Sequence, residues 1–294
     1  PWPKPADYDP ARYELLLRYL NSTKPLPDWP NPRDEIEHPV LGRSLLDLPP
    51  VVIMPNRKSD SNTKGAVSFN LVGGSRDYPD GDHATRERIF REHVSWQQGL
   101  CWFVANDPRV PEKYRAPMRN WGLAKDEFTG TGHWPHQLYV REARRMVGAF
   151  VMRQQVCEGT ESVADPVGCG SYTMDSHNVR RYIDEHGYVR NEGTLGMPVK
   201  TPYGISFRAL TPKRNECTNL LVPVCISASH VVYGSMRMEP VFMVLGQSAA
   251  TAAVQAIATR SAVQDISYPD LRAALLRDGQ VLGVSTSKTD ARKR

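Results

Sequence analysis

Several features that would carry strong structural meaning are scarce or missing. The 294 residues include only five cysteines, Cys101, Cys157, Cys169, Cys217 and Cys225, and no C-x-x-C pair. An odd count without paired spacing argues against a zinc ribbon and against a small disulfide-stapled domain. Cys157 and Cys169 are spaced to bridge a loop, but reduced thiols are the expected state. No uninterrupted apolar run of about 18 residues occurs, so no membrane span is expected. The G-x-S-x-G turn that presents a serine nucleophile is absent, which disfavours a hydrolase of that class. There is no internal repeat and no low-complexity linker. Pro1-Trp-Pro-Lys-Pro5 has no initiator Met, no apolar leader and no transit pattern, so the start reads like the interior of a longer chain.

What remains is the composition of a globular protein, 40% apolar and 23% charged. Six Trp, seven Phe and 12 Tyr are too much aromatic surface for a chain disordered throughout. The length allows about two domains, and the 24 prolines predict long loops with fixed turns. The net charge is +5, of which the tail 285–294 contributes +3 through Lys288, Arg292, Lys293 and Arg294 against Asp290. The nearly neutral body carries no interleaved basic and aromatic stripe, so no nucleic-acid partner is expected.

Local signals predict a set of elements. Asp9 and Pro10 open a helix whose apolar stripe is Tyr13, Leu16, Leu17 and Leu20. After a Pro-rich stretch, the run at 51–54 reads as a strand, 56–65 as a polar loop and 66–72 as another strand. Turn chemistry at 78–83 precedes a long helix over 84–105, stopped by Asn106-Asp-Pro108. A short helix is expected over 112–121 and a strong one over 136–155. Segments 204–210 and 220–227 read as strands, the second apolar enough to be buried on both faces. Helices then follow from Glu239-Pro240 to Thr259 and over 269–277, the last closed by Gly279.

The strand–loop–helix unit at 220–259 is the best physical signal for a site. Ligands of α/β sheets gather beyond the carboxyl ends of strands. A helix N-terminus there offers unpaired N–H groups to an anion-like edge, although an ordinary packing helix has the same pattern. Asp175-Ser-His177 sets a carboxylate and an imidazole two residues apart, facing one side if the backbone is a strand. The pair can work as base and orienter, or Asp175 or Ser176 can cap a helix over 177–185. Arg141, Arg144 and Arg145 on a helix would grip a carboxylate or phosphate, or pair with Glu142. His133-Trp-Pro-His136 and Asp80-Gly-Asp82-His83 lack the one-face spacing of a zinc site, so no metal is expected.

Asn219-Leu-Leu-Val-Pro-Val, Ser229-His230, Gly234-Ser-Met-Arg-Met-Glu-Pro240 and Met243-Val-Leu-Gly-Gln-Ser-Ala-Ala250 together resemble the carboxyl-terminal segment of FAD-dependent oxidoreductases of the glutathione-reductase-like superfamily. The bacterial family of FAD-dependent oxidoreductases is the closer match. Trp134–Arg145, Gly170–His177 and Lys58-Ser-Asp-Ser-Asn62 also resemble it, in the same order, over most of 50–280.

The resemblance implies an α/β fold: a partial FAD/NAD(P)-binding Rossmann-like domain with a mixed α+β substrate-side region. Residues 1–130 would be the substrate-side region, 131–284 would complete the FAD-binding domain, and 285–294 would be a flexible basic tail. It implies FAD as cofactor and hydride transfer from a small or carbohydrate-like substrate to the flavin. His230 or His177 would be the base, with Asp175 beside it, and Arg237 would stabilise the reduced flavin. Ser229, Met236, Arg237, Met238, Glu239, Pro240 and Val241 would contact the cofactor. Tyr172, Ser61, Asn62 and Arg141 would meet the substrate.

One departure stands out: no G-x-G-x-x-G turn, the pyrophosphate cradle of the family, occurs among the 294 residues. The chain is therefore expected to lack the amino-terminal dinucleotide half, to bind FAD weakly by itself, and to expose an apolar face where that half would dock. The competing expectation is a flavin-free binding module for a carbohydrate or partner chain. Trp96, Trp102, Trp121 and Trp134 would then supply stacking surface, unless they serve core packing.

Overall fold

A computed structural model describes residues 1–21, 52–60 and 67–283. Ser61, Asn62, the Pro-rich stretch and the basic tail lie outside the described residues. The chain forms two compact units, one comprising Pro1–Val140 and Asn178–Glu192, the other Arg141–His177 and Gly193 onward. A linear cut at residue 130 separates expected roles, whereas the compact units interleave in sequence.

The first unit is built on helices that its sequence announces. Asp9 accepts from Ala11 N–H and caps a 3-10 turn, Pro10–Tyr13, that runs into α1, Glu14–Asn21. Tyr13, Leu16, Leu17 and Leu20 are all buried, as the apolar stripe predicted. Asp82 accepts from Thr85 N–H at 2.8 Å and starts α2, His83–Asn106. A short helix, α3, Glu112–Arg119, follows. The core joins Tyr13, Leu16 and Leu20 to Trp96, Leu100, Phe103 and Met118, and burying each such side chain is worth roughly 1.5–3 kcal/mol. Gly99 allows the closest approach: a Cβ there would lie 2.1 Å from the Tyr13 hydroxyl, which donates to Trp96 O.

Two antiparallel hairpins complete this unit: β1, Val52–Met54, with β2, Lys58–Asp60, and β5, Arg180–Ile183, with β6, Val189–Glu192. The first replaces part of the polar loop expected at 56–65. The second rules out the helix that was one of the two readings open for His177 to Glu185. Its turn is organised by Asp184, whose carboxylate accepts from the His186 and Tyr188 amides and from Arg190. The strand expected at 66–72 is absent; from Val67 on the chain turns, and the carbonyls of Ser68 and Phe69 accept from Trp96 and Gln97 of α2.

The second unit holds β3, Pro166–Gly170, paired with β8, Tyr203–Ser206, and β4, Met174–Ser176, paired with β7, Leu195–Met197, both antiparallel. Its helices are α4, Gln154–Glu158, α5, His230–Met236, α6, Glu239–Thr259, and α7, Tyr268–Arg277. The architecture is thus mixed α/β. All described sheets are two-stranded, and the sole described parallel pairing is the bridge Met152↔Ala228.

Two expectations fail here. Residues 136–153 are not helical, and from Met146 on their amides are drawn to distant carbonyls. Met146 N–H donates to Cys225 O, Ala149 N–H to Thr211 O and Met152 N–H to Ser227 O. Arg141, Arg144 and Arg145 therefore share no helix face. The partner segment, 220–227, is no sheet strand either. Pro223 has no N–H for a ladder, and Leu220 and Val224 are exposed. The buried strand predicted there is withdrawn. The helix predicted after it is correct to the residue: Glu239–Thr259 is α6.

By length and composition α6 is apolar enough to cross a bilayer, which the search for uninterrupted apolar runs did not anticipate. Its inner face packs on β3. Ser248 Oγ donates to Val167 O at 2.6 Å, and Gly168 admits Val244, whose Cγ1 would lie 2.8 Å from a Cβ there. Met243, Val254 and Ile257, which lie along one side of α6, are strongly exposed.

Candidate functional site

The expected carboxylate–imidazole pair lies on β4. Met174 and Ser176 are buried and Asp175 points the other way, as strand alternation requires. His177, two residues on, returns to the side of Asp175, and its Nε2 lies 3.1 Å from Asp175 Oδ2. Strand geometry was one of the two readings open for this segment, and it is the one observed.

Helix α5 brings the third member. It lies so close to β4 that a Cβ on Gly234 would sit 2.4 Å from Asp175 O. Only glycine fits at that point without displacing backbone. Arg237, the C-terminal cap of α5, is buried at 4% exposure and donates through Nη2 to Asp175 Oδ2 at 2.7 Å and to Asp175 O at 3.2 Å. Burial pushes the Asp175 carboxyl up. The hydrogen bond from His177 and the guanidinium charges of Arg237 and Arg141 outweigh it and hold the group below its ordinary value. Arg141 thus belongs to this cluster electrostatically.

A buried hydroxyl chain supports α5 from below. Tyr203 Oη donates to Ser235 Oγ at 2.8 Å, and Ser235 Oγ donates to Tyr172 O at 2.5 Å. Burial raises the Tyr203 phenol, so it remains a protonated donor. The Tyr172 ring is exposed. Sequence spacing gave no signal for Tyr203 or Ser235 as supports, since the link joins residues 32 apart.

His230 does not join this cluster. It begins α5 while Arg237 ends it, about 10 Å away by helical rise. Its Nδ1 forms an ion pair with Glu142, whose carboxylate also lies 3.9 Å from Arg145 Nη1. Arg145 in turn donates to Ala228 O and lies over the Tyr233 ring. Of the residues expected around the cofactor, Ser229 is the half-buried N-cap of α5 and Met236 is wholly within the core. Met238 is the N-cap of α6 and provides no side-chain hydrogen bond, and Glu239 and Pro240 are exposed beside half-buried Val241. Among the described residues no three His, Cys, Asp or Glu side chains gather as metal ligands, and all five cysteines are free thiols.

A carboxylate that holds both a guanidinium and an imidazole at the edge of an α/β unit is an arrangement for orienting and moving protons. The family model of FAD dependent oxidoreductases matches residues 1–275. The chain belongs to that family, and the match covers the amino-terminal helices as well as the segments quoted above. FAD binding and oxidoreduction are properties of the family, and the Rossmann-like fold it implies is consistent with the mixed α/β architecture. No curated protein and no solved structure matches the chain.

The residues present fit one part of the cofactor. The α6 N-terminus has no side-chain cap at Met238 and stands one residue beyond buried Arg237, a setting suited to the polar edge of a flavin ring. The pyrophosphate has no such match, since the Gly-rich turn that would cradle it does not occur in these residues.

Proposed function

We propose that the chain carries the ring-side and proton-handling residues of an FAD-dependent oxidoreductase acting on a small hydroxylated substrate. The observation that carries this reading is the Asp175–His177–Arg237 cluster at the foot of α6. Asp175 Oδ2 lies against Nε2 of His177 and orients the ring. The imidazole so oriented is the group to take a proton from a substrate hydroxyl. His177 is preferred to His230 because Asp175 and Arg237 anchor it, whereas His230 is engaged by Glu142 at the other end of α5. Arg237 holds the carboxylate ionised and orients it. Tyr172 and Arg141 border the cluster and are the substrate-facing groups. When bound, FAD supplies the acceptor for the hydride leaving the same substrate carbon.

The backbone of Met238–Val241 would hold the ring edge. A segment bearing a Gly-rich turn would complete the dinucleotide site, and the apolar outer side of α6 is a surface such a segment would cover. A second reading, a flavin-free binding module, is favoured by the missing Gly-rich turn alone.

Titration with riboflavin and with FAD, followed by flavin fluorescence and calorimetry, separates the two readings. Both ligands are expected to bind weakly and with similar affinity, because the ring is gripped and the pyrophosphate is not. Replacing Arg237 by Met should weaken both. Absence of binding by either ligand would sink the ring-side assignment. FAD binding far tighter than riboflavin would show that another segment cradles the phosphates.

A further inference from the structure

A second site lies wholly within the first unit and shares no residue with the Asp175–His177–Arg237 cluster. Trp2, Trp121 and Trp134, with Phe69 and Phe128, line an open cavity of about 880 Å³. That is the size of a pocket for a ligand of more than one ring. The tryptophans are only half-buried, unlike Trp96, which is buried in the core. The indole N–H of Trp2 is held by Met118 O at 3.0 Å, which leaves its ring for apolar contact.

Polar groups stand on the same wall. Lys58 forms an ion pair with Asp126 and lies 3.8 Å from Glu127 Oε1. Both acids remain well exposed, with side-chain exposures of 72% and 48%. Ammonium and carboxylates side by side present fixed donors next to fixed acceptors.

The backbone is unusual at the same place. Five described non-glycine residues have positive φ, and four of them, Asn56, Arg57, Phe128 and His133, line this cavity. Left-handed backbone at bulky residues persists only where the surroundings enforce it, and it gathers at ligand sites. At Asn56 and Arg57 it belongs to the tight turn between β1 and β2. On the other wall, the Thr131 and His133 amides both donate to Phe128 O, and Glu127 O lies 3.1 Å from His133 Nδ1.

We infer that this cavity binds a neutral saccharide of two or more rings. Sugar rings present C–H faces, which aromatic rings cover. Their hydroxyls each donate and accept, which paired Lys and carboxylate groups satisfy. A nucleotide or other polyanion fits less well, because Arg57, Lys58 and Lys125 are nearly balanced by Asp126 and Glu127. A purely aromatic ligand would leave those charges unused. The inference does not depend on the redox reading of the other unit.

The test is a calorimetric and tryptophan-fluorescence titration of the chain with cellobiose, xylobiose and mannobiose, with pyrophosphate and indole as anionic and aromatic comparisons. At least one neutral disaccharide should bind. Trp121→Ala and Trp134→Ala should each weaken it by about tenfold or more, whereas Trp102→Phe, outside the cavity, should not. Asp126→Asn and Glu127→Gln, which keep shape and fold, should also weaken binding, so the outcome does not rest on the Trp variants remaining folded. Failure of all three disaccharides to bind, binding only of pyrophosphate or indole, or affinity unchanged in the aromatic and acidic variants would overturn the proposal.

Discussion

In the unit that begins at Pro1 the helices are announced by neighbours in sequence, even though distant bonds such as Trp2 to Met118 O join them, whereas in the other unit distant residues decide where the backbone itself goes. Asp9 caps the 3-10 turn that leads into α1 and Asp82 caps α2, and the apolar stripes of both helices face one core. The second unit is tied by bonds that span the chain. Met146 pairs with Cys225, Tyr268 donates to Pro166 O, and Arg237 reaches Asp175. Its close approaches depend on glycines at positions 168 and 234, where a Cβ would collide with Val244 and with Asp175 O. Local cooperativity makes the first kind of element tolerant of distant change. The second kind is only as good as its geometry.

The largest expected effect breaks the local unit at its centre. Phe103 is fully buried and stacks on Tyr13 with ring centroids 5.3 Å apart. Phe103→Ala should cost about 3–5 kcal/mol in urea unfolding, with amide exchange accelerating in α1–α3. Exchange that accelerates equally in β3 and α6 would show that the two units do not respond separately.

A smaller effect sharpens the non-local side. Asp175→Asn keeps the shape but removes the charge held by Arg237, and should cost about 1.5–3 kcal/mol at neutral pH. Because the carboxyl lies below its ordinary value of 3.8 in the folded chain, its stabilisation is fully present above about pH 5 and is lost as pH falls through the folded value. The wild-type chain should therefore lose stability on acidification more steeply than Asp175→Asn. Parallel acid limbs would mean that Asp175 is not held by charge.

The smallest effect tests the caps. Asp82→Ala should leave the Thr85 amide without its cap, seen as a modest fall in thermal midpoint and as faster exchange confined to the first turn of α2. A loss as large as that of Phe103→Ala would mean that the cap carries tertiary contacts as well.

Legibility of the site followed the same division. The Asp175–His177 pairing was readable because strand alternation alone sets two such side chains together. The resemblance placed Arg237 at the flavin; its tie to Asp175 was not written in any local spacing and is made by α5, whose approach depends on the missing Cβ of Gly234. The partner of His230 was not readable. Glu142 lies 88 residues away in the sequence, in a stretch whose apolar and charged spacing imitated a helix. Pro223 was a visible warning against the strand expected at 220–227, since a residue without N–H cannot serve a central ladder.

By itself the sequence determined the ends of α2, α6 and α7, the stripe that buries α1, the free state of the thiols and membership of a flavin-dependent family. Each of these is written in residues a few positions apart, where capping, proline geometry and periodicity act without help. Only the tertiary structure decided that 136–153 stays out of a helix, that His177 and not His230 stands beside Arg237, and that half-buried tryptophans share a cavity with Lys58 and Asp126. Hydrogen-bond partners and close approaches between remote segments cost chain entropy to bring together, and no local pattern records which of them is worth that cost.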